Sequence, residues 1–298
     1  MNNPIFMHIN YAEVAGTSLG SKSLSDVCHF AADLGYEGIE FRGWLPKDFS
    51  GLTFREYVEK LAAAKKEIGD DFEIMFRFMA KGCASPKSEV RDAVVAEITE
   101  NAKIVRELCG TKICNTTAEV KNCPLKTVPA PGYEFNGSAA ANDETFNLTA
   151  DTYSRIAKEL EKIDLRFAFE THMGYIHDLP QPSRRLVDMI DSPMVGLNLD
   201  YGNMMLFPEQ LPVEQVIDIL GNKLYYVHLK NYIRLPESRF RLPAALGDGE
   251  INHRLYLEKL QAVGYTGPIC LEAPRPGDRL WFAKNDFAYI KDVMANMA

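Results

Sequence analysis

Eight times along this chain a short apolar run is followed by a longer amphipathic stretch, and nothing interrupts the order. The strand candidates are 5–11, 36–42, 72–79, 111–117, 165–171, 195–201, 224–230 and 267–273. The helix candidates lie near 24–34, 53–68, 87–108, 147–163, 183–190, 212–221, 253–263 and 282–296. Capping chemistry marks helix starts at Ser23 or Ser25, at Thr53 with Glu56, and at Ser85 with Pro86. Gly35, Gly69, Gly110 and Gly264 mark helix stops. A strand-then-helix alternation builds a parallel sheet, because each crossover helix returns the chain to the same edge. Eight units predict a closed α/β architecture, a (β/α)8 TIM barrel forming one domain over 1–298, with an open doubly wound sheet as the alternative. Two connections are long, 119–146 after strand 4 and 231–251 after strand 7, and read as lids or partner contacts.

Residue phase supports closure, since successive side chains on a strand point to opposite faces. Val195, Leu197 and Leu199 oppose Gly196, Asn198 and Asp200; Phe167 and Phe169 oppose Ala168 and Glu170. Val227 and Leu229 oppose Tyr226, His228 and Lys230, while Ile269 and Leu271 oppose Cys270 and Glu272. His8 and Asn10 oppose Met7 and Ile9; Glu40 and Arg42 oppose Ile39 and Phe41. The bulky face meets the helices and the small or polar face lines the barrel. Glu170, Asp200, His228 and Glu272 each close an apolar run, at the carboxyl ends where barrels of this kind carry function. Burying such groups is costly unless something pairs them. Three carboxylates and an imidazole aimed at one centre suit a divalent cation: Mn²⁺ first, with Mg²⁺, Co²⁺ and Zn²⁺ as alternatives.

Composition narrows the partners. A net charge of −8 and a pI near 5.4 suit a protein handling small molecules and disfavour nucleic acid. Six cysteines without a CxxC pair read as reduced, a cytoplasmic setting. No apolar run reaches the roughly 18 residues of a membrane span, so no membrane partner is expected. The start lacks the charged and apolar regions of a signal peptide, and the sequons at Asn115, Asn136 and Asn147 read as chance matches.

Six segments, taken together, resemble a known family: LGYEGIEFRG (34–43), FETHMGYIHD (169–178), VGLNLDYGN (195–203), YVHLKN (226–231), LGDGEIN (246–252) and VGYTGPICLE (263–272). The chain resembles the xylose-isomerase-like TIM barrels, the broad sugar isomerase/epimerase superfamily. The resemblance implies that Glu170, Asp200, His228 and Glu272 are metal ligands, and that Glu170 and Glu272 exchange the substrate proton. It also implies a substrate contact from Arg234, six positions past His228. One position departs: Asn203 stands where many members have histidine, and an amide cannot exchange a proton near neutral pH.

These residues predict a metal-dependent isomerase or epimerase of a keto-sugar, working by proton abstraction next to a carbonyl and a metal-stabilised enediolate. Lys230, His172, Asn203, Arg234, Trp44 and His8 are the expected substrate contacts, with Phe41 beside Trp44 as a second aromatic to stack on a sugar. His177 reads as a loop residue, and LGDGEIN as a turn before a helix capped by Asn252. A metal-dependent lyase or dehydratase acting on a keto-sugar or keto-glycoside is the alternative. An endonuclease of the same superfamily is disfavoured by six histidines and the negative charge, and a non-enzymatic scaffold by the filled ligand positions. Arg234, Arg239 and Arg241 leave a phosphorylated substrate open, with a free sugar preferred. The segment 273–281 reads as a lid or as a contact in a homo-oligomer.

Overall fold

A computed structural model describes residues 1–14, 17–119, 132–236, 240–273 and 275–297. Residues 120–131 of the long connection after strand 4, with Cys123, lie outside the described residues, as does Arg239.

Eight parallel strands close into a barrel: β1 (Ile5–His8), β2 (Gly38–Arg42), β3 (Glu73–Lys81), β4 (Ile113–Glu119), β5 (Arg166–Glu170), β6 (Val195–Asp200), β7 (Leu224–Leu229) and β8 (Ile269–Leu271). Each pairs with its neighbours in sequence, and β8 pairs with β1. The surrounding helices are α1 (Leu24–Asp33), α2 (Phe54–Ile68), α3 (Ser88–Cys109), α4 (Asp143–Lys162), α5 (Pro180–Ile190), α6 (Val213–Leu220), α7 (His253–Ala262) and α8 (Arg279–Ala295). This is the (β/α)8 architecture that the alternation demanded.

The strand phase holds. Val195, Leu197, Leu199, Phe167, Phe169, Val227, Leu229, Ile269 and Leu271 join the large apolar core between sheet and helices. Phe6, Met75, Ala168, Tyr226 and Cys270 form a separate apolar cluster inside the barrel, its floor. Ser23 and Thr53 each complete a capping box, with Asp26 and Glu56, and Asn252 caps α7 by accepting from the Leu255 amide.

Several expectations change. β1 stops at His8 rather than 11, because His8 Nδ1 accepts the Asn10 amide at 3.1 Å and the chain turns into a 3₁₀ segment, Ile9–Tyr11. Ser85 does not cap α3. The cap position is Lys87, which makes no side-chain bond, and Ser85 Oγ instead accepts the Lys87 amide at 3.2 Å. Helix α4 begins at Asp143, four residues earlier than read, with Asn142 as its cap. Phe41 faces the helices against Tyr57 at 6.4 Å, not the mouth, as its phase on β2 requires. The connection after β7 contains a small antiparallel hairpin, Tyr232–Arg234 with Arg241–Pro243.

One irregularity sets the register at the barrel mouth. Leu197 pairs with Leu224, but Asn198 pairs with Tyr226, so β7 carries one extra residue at Tyr225. Past this bulge, Asp200 stands opposite His228. Gly196 makes room for it: a Cβ there would lie 2.3 Å from the Tyr225 ring.

Candidate metal centre and active site

Two residues above the apolar floor, the same inner face of each strand turns polar. His8, Glu40, Arg77, Asn115, Glu170, Asn198, Asp200, His228, Lys230 and Glu272 are all buried. One ligand atom each from Glu170, Asp200, His228 and Glu272 lies within 4.8 Å of all the others. His228 Nδ1 is 2.8 Å from Glu272 Oε2, 3.7 Å from Asp200 Oδ2 and 4.0 Å from Glu170 Oε1.

The outer oxygens are held in place. Glu170 Oε1 accepts from Asn203 Nδ2 at 3.0 Å and its Oε2 from Asn115 Nδ2 at 2.8 Å, with Arg77 Nε 3.5 Å away. Glu272 Oε1 accepts from Asn10 Nδ2 at 3.1 Å. Asp200 caps the turn Tyr201–Met204, its Oδ1 accepting the Asn203 amide at 3.0 Å. Lys230 Nζ reaches Asp200 Oδ2 at 2.7 Å, Glu272 Oε2 at 3.3 Å and Asn203 Oδ1 at 3.1 Å. Gly202 lets its stem pass, since a Cβ there would sit 2.4 Å from Lys230 Cβ.

The electrostatics follow from this crowding. Burial alone would raise the Glu170 carboxyl, but Arg77, then His172, His228 and Lys230, hold it below the ordinary carboxylate value. Glu272 is pulled well below its ordinary value against burial by His8, Lys230 and His228. Burial opposes charge on His228 and Lys230 too. Glu40, Asp200 and Glu272 nonetheless raise the imidazole, and Asp200, Glu272 and Glu170 raise the ammonium.

Does this cluster fit a cation? Asp200 Oδ2 and His228 Nδ1 are buried and lack a hydrogen bond of acceptable geometry, although the ammonium and the Glu272 carboxylate lie close to them. Within this cluster Glu40, Glu170, Asp200 and Glu272 also outnumber Arg77 and Lys230, the basic groups buried there among the described residues, by two charges. With the imidazoles neutral, as a ligating histidine must be, the deficit equals one divalent ion. The donor set, the atoms without a well-directed hydrogen bond and the charge all fit a divalent cation.

The remaining expected residues fall in different places. His172, Asn203, Lys230 and Glu272 line a cavity of about 180 Å³ at the mouth, together with Met173, Asn231, Tyr232 and Pro243. His8 sits beneath, its Nε2 3.9 Å from both Glu40 Oε1 and Glu272 Oε1. Trp44 carries the Arg42 guanidinium 5.6 Å from its ring centre, and Arg42 is bonded to Glu13 at 2.8 and 2.9 Å. Arg234 is half exposed and 3.8 Å from Glu250. His177, read as a loop residue, is fully buried. It clamps two strands, with Nδ1 on the Glu170 carbonyl at 2.6 Å and Nε2 accepting the Ala118 amide at 2.9 Å. Arg275, in the expected lid segment, turns inward to Asp286 at 2.8 Å. A larger cavity of about 650 Å³ opens at the opposite rim, around Lys112, Arg166 and Tyr225, but none of the clustered ligand residues lines it. The clustered ligand residues therefore stand at the mouth, the end of a barrel where strand-end residues are read as functional.

The profile of the xylose isomerase-like TIM barrel family matches residues 28–295. The chain belongs to that family. Among solved structures, an L-ribulose 3-epimerase superposes with a TM-score of 0.75 at 16% identity, covering 99% of this chain and 96% of that one. A xylose isomerase-like TIM barrel protein from Mycobacterium smegmatis, solved in complex with magnesium, gives 0.73 at 18% identity over 100% and 99% of the two chains. An inosose dehydratase of Clostridium perfringens is 22% identical over 177 residues, 53% of this chain. The chain spans only 58% of the length of that relative.

Glu40, Arg77 and Asn115 are the residues of this centre that strand-end reasoning missed. Their signal was the same alternation: each lies two residues past an inward Gly38, Met75 or Ile113.

Proposed function

We propose that this xylose isomerase-like barrel is a divalent-metal-dependent isomerase or epimerase of a keto-sugar. The observation that carries the reading is the convergence of four ligand atoms within 4.8 Å, two of them from glutamates on strands three apart around the barrel. Glu170, Asp200, His228 and Glu272 would hold the ion. When bound, a divalent ion polarises a carbonyl and stabilises negative charge on the neighbouring oxygens.

The chain's own groups handle the proton. Glu170 and Glu272 are carboxylates throughout the neutral range, so each can accept a proton from a carbon beside a carbonyl. Removal by one and return by the other inverts that carbon; a single glutamate moving the proton between adjacent carbons interconverts ketose and aldose. Asn203 and Asn10 keep the two carboxylates aimed, each holding one oxygen. Lys230 and His172, on the cavity wall, can hydrogen-bond sugar oxygens. Asn203 can orient a hydroxyl but cannot relay a proton. Mn²⁺ is the first expectation for the ion, and the magnesium complex of the Mycobacterium smegmatis barrel supports Mg²⁺ as the next.

The likeness to inosose dehydratase favours a second reading, elimination of water from a keto-sugar after the same proton abstraction. Metal analysis followed by a deuterium-exchange screen over ketoses tests both. Wash-in at a carbon beside the carbonyl without mass loss supports isomerisation or epimerisation, and loss of water supports the second reading. A metal-replete protein that exchanges no proton in any ketose sinks the proposal.

A further inference from the structure

We infer that Glu40 is the positioning residue of this centre: it holds the Nε2 proton of His228 so that Nδ1 presents its lone pair to the ion. The inference rests on the metal-dependent reading. Glu40 is fully buried on β2 and accepts three hydrogen bonds: from His228 Nε2 at 2.8 Å, Tyr226 Oη at 2.7 Å and Asn115 Nδ2 at 3.0 Å. It takes no part in the four-residue ligand cluster. An imidazole has two nitrogens, and Glu40 occupies one. The other, Nδ1, faces Glu272, Asp200 and Glu170 without a properly directed hydrogen bond. The ring plane is set as well, by edge contacts with Tyr226 at 4.9 Å and His8 at 5.9 Å.

Asn115 extends the device to a second ligand. Its Nδ2 donates both to Glu40 Oε1 and to Glu170 Oε2, so one amide fixes the carboxylate behind His228 and the outer oxygen of Glu170. A group whose task was only to fill the barrel would be apolar, as Phe6 and Met75 are one layer down. A carboxylate behind a ligating histidine fixes its tautomer and raises its basicity as a ligand.

The test compares metal-stripped wild type, Glu40→Gln and Phe6→Ala for Mn²⁺ affinity, by competition with a chromophoric chelator. Glu40→Gln should bind about 10–100-fold more weakly, while Phe6→Ala, which loosens the floor, should bind within about threefold of wild type. Nitrogen-15 histidine spectra of the Mg²⁺-loaded wild type should show a proton on His228 Nε2 and none on Nδ1. Equal affinity of wild type and Glu40→Gln would overturn this inference and leave the metal reading standing. A wild type that binds no divalent ion overturns both. Should Glu40→Gln fail to fold, the spectra decide alone, and a proton on Nδ1 refutes the assignment.

Discussion

The two layers inside this barrel are built from the same strands, one step of the pleat apart, and they behave as opposites. The lower layer, Phe6, Met75, Ala168, Tyr226 and Cys270, is a small apolar plug. The upper layer, His8, Glu40, Asn115, Glu170, His228 and Glu272, is buried just as deeply yet polar throughout. The lower layer gains from burial by the hydrophobic effect. The upper layer bears a desolvation cost that its internal hydrogen bonds only partly offset, since both amide atoms of Asn198 make no hydrogen bond among the described residues, and Asp200 Oδ2 and His228 Nδ1 have charged neighbours but no well-directed hydrogen bond. The contrast teaches where apolar packing and polar clustering divide: the plug fills the cylinder, and the layer above it gathers the charged groups. Tyr226 joins the two, its ring in the plug and its hydroxyl on Glu40.

Substitutions can break this contrast, and the largest effect belongs to the upper layer. Glu170→Gln or Glu272→Gln should cut turnover of any identified ketose by about 10²–10⁴-fold, read from initial rates, while leaving the fold intact by circular dichroism. In the lower layer Phe6→Ala should do the reverse, lowering unfolding free energy by about 3–5 kcal/mol in denaturant titration with Mn²⁺ affinity retained. Tyr226→Phe should fall between, costing about 1–3 kcal/mol because a buried Glu40 oxygen loses a donor; calorimetry checks it. An effect of Phe6→Ala on metal affinity as large as that of Asp200→Asn would erase the division.

A buried carboxyl away from the basic groups sharpens the same contrast. Asp178 lies at the rim, its Oδ2 accepting the Ser138 amide at 3.1 Å, and burial pushes it up from 3.8 to about 7 against that hydrogen bond. A carboxyl raised on folding binds its proton more tightly in the folded state. Its stabilising contribution is therefore full below pH 3.8 and is lost as pH rises through about 7. Asp178→Asn should thus gain in thermal midpoint relative to wild type between pH 5 and pH 8, the smallest of these effects, and a difference constant with pH would contradict it. The upper-layer glutamates, lowered on folding, have the opposite sign.

Much of this molecule was legible from periodicity. Strand order, barrel closure and the inward aim of Glu170, Asp200, His228 and Glu272 follow from a repeat of two within a repeat of eight, and both are local patterns. What escaped the reading depends on single contacts between distant residues. The early end of β1 hangs on one imidazole accepting one amide, and the hairpin after β7 carries its own alternation inside what looked like loop. Glu40 and Asn115 lay on readable strands but one step below the mouth, where a search of strand ends does not look. His177 is the loop residue it was read as, but its burial and its hold on backbone groups of β4 and β5 carry no side-chain signature.

The extra residue in β7 gives the centre a hidden dependence on Gly196. A side chain there would drive into the Tyr225 ring and press on the kink that seats Asp200 across from His228. If the kink were ironed out, the strand beyond it would slip by one place, and a slip of one turns an inward imidazole outward. A position with no side chain of its own thereby governs whether His228 reaches the cluster at all.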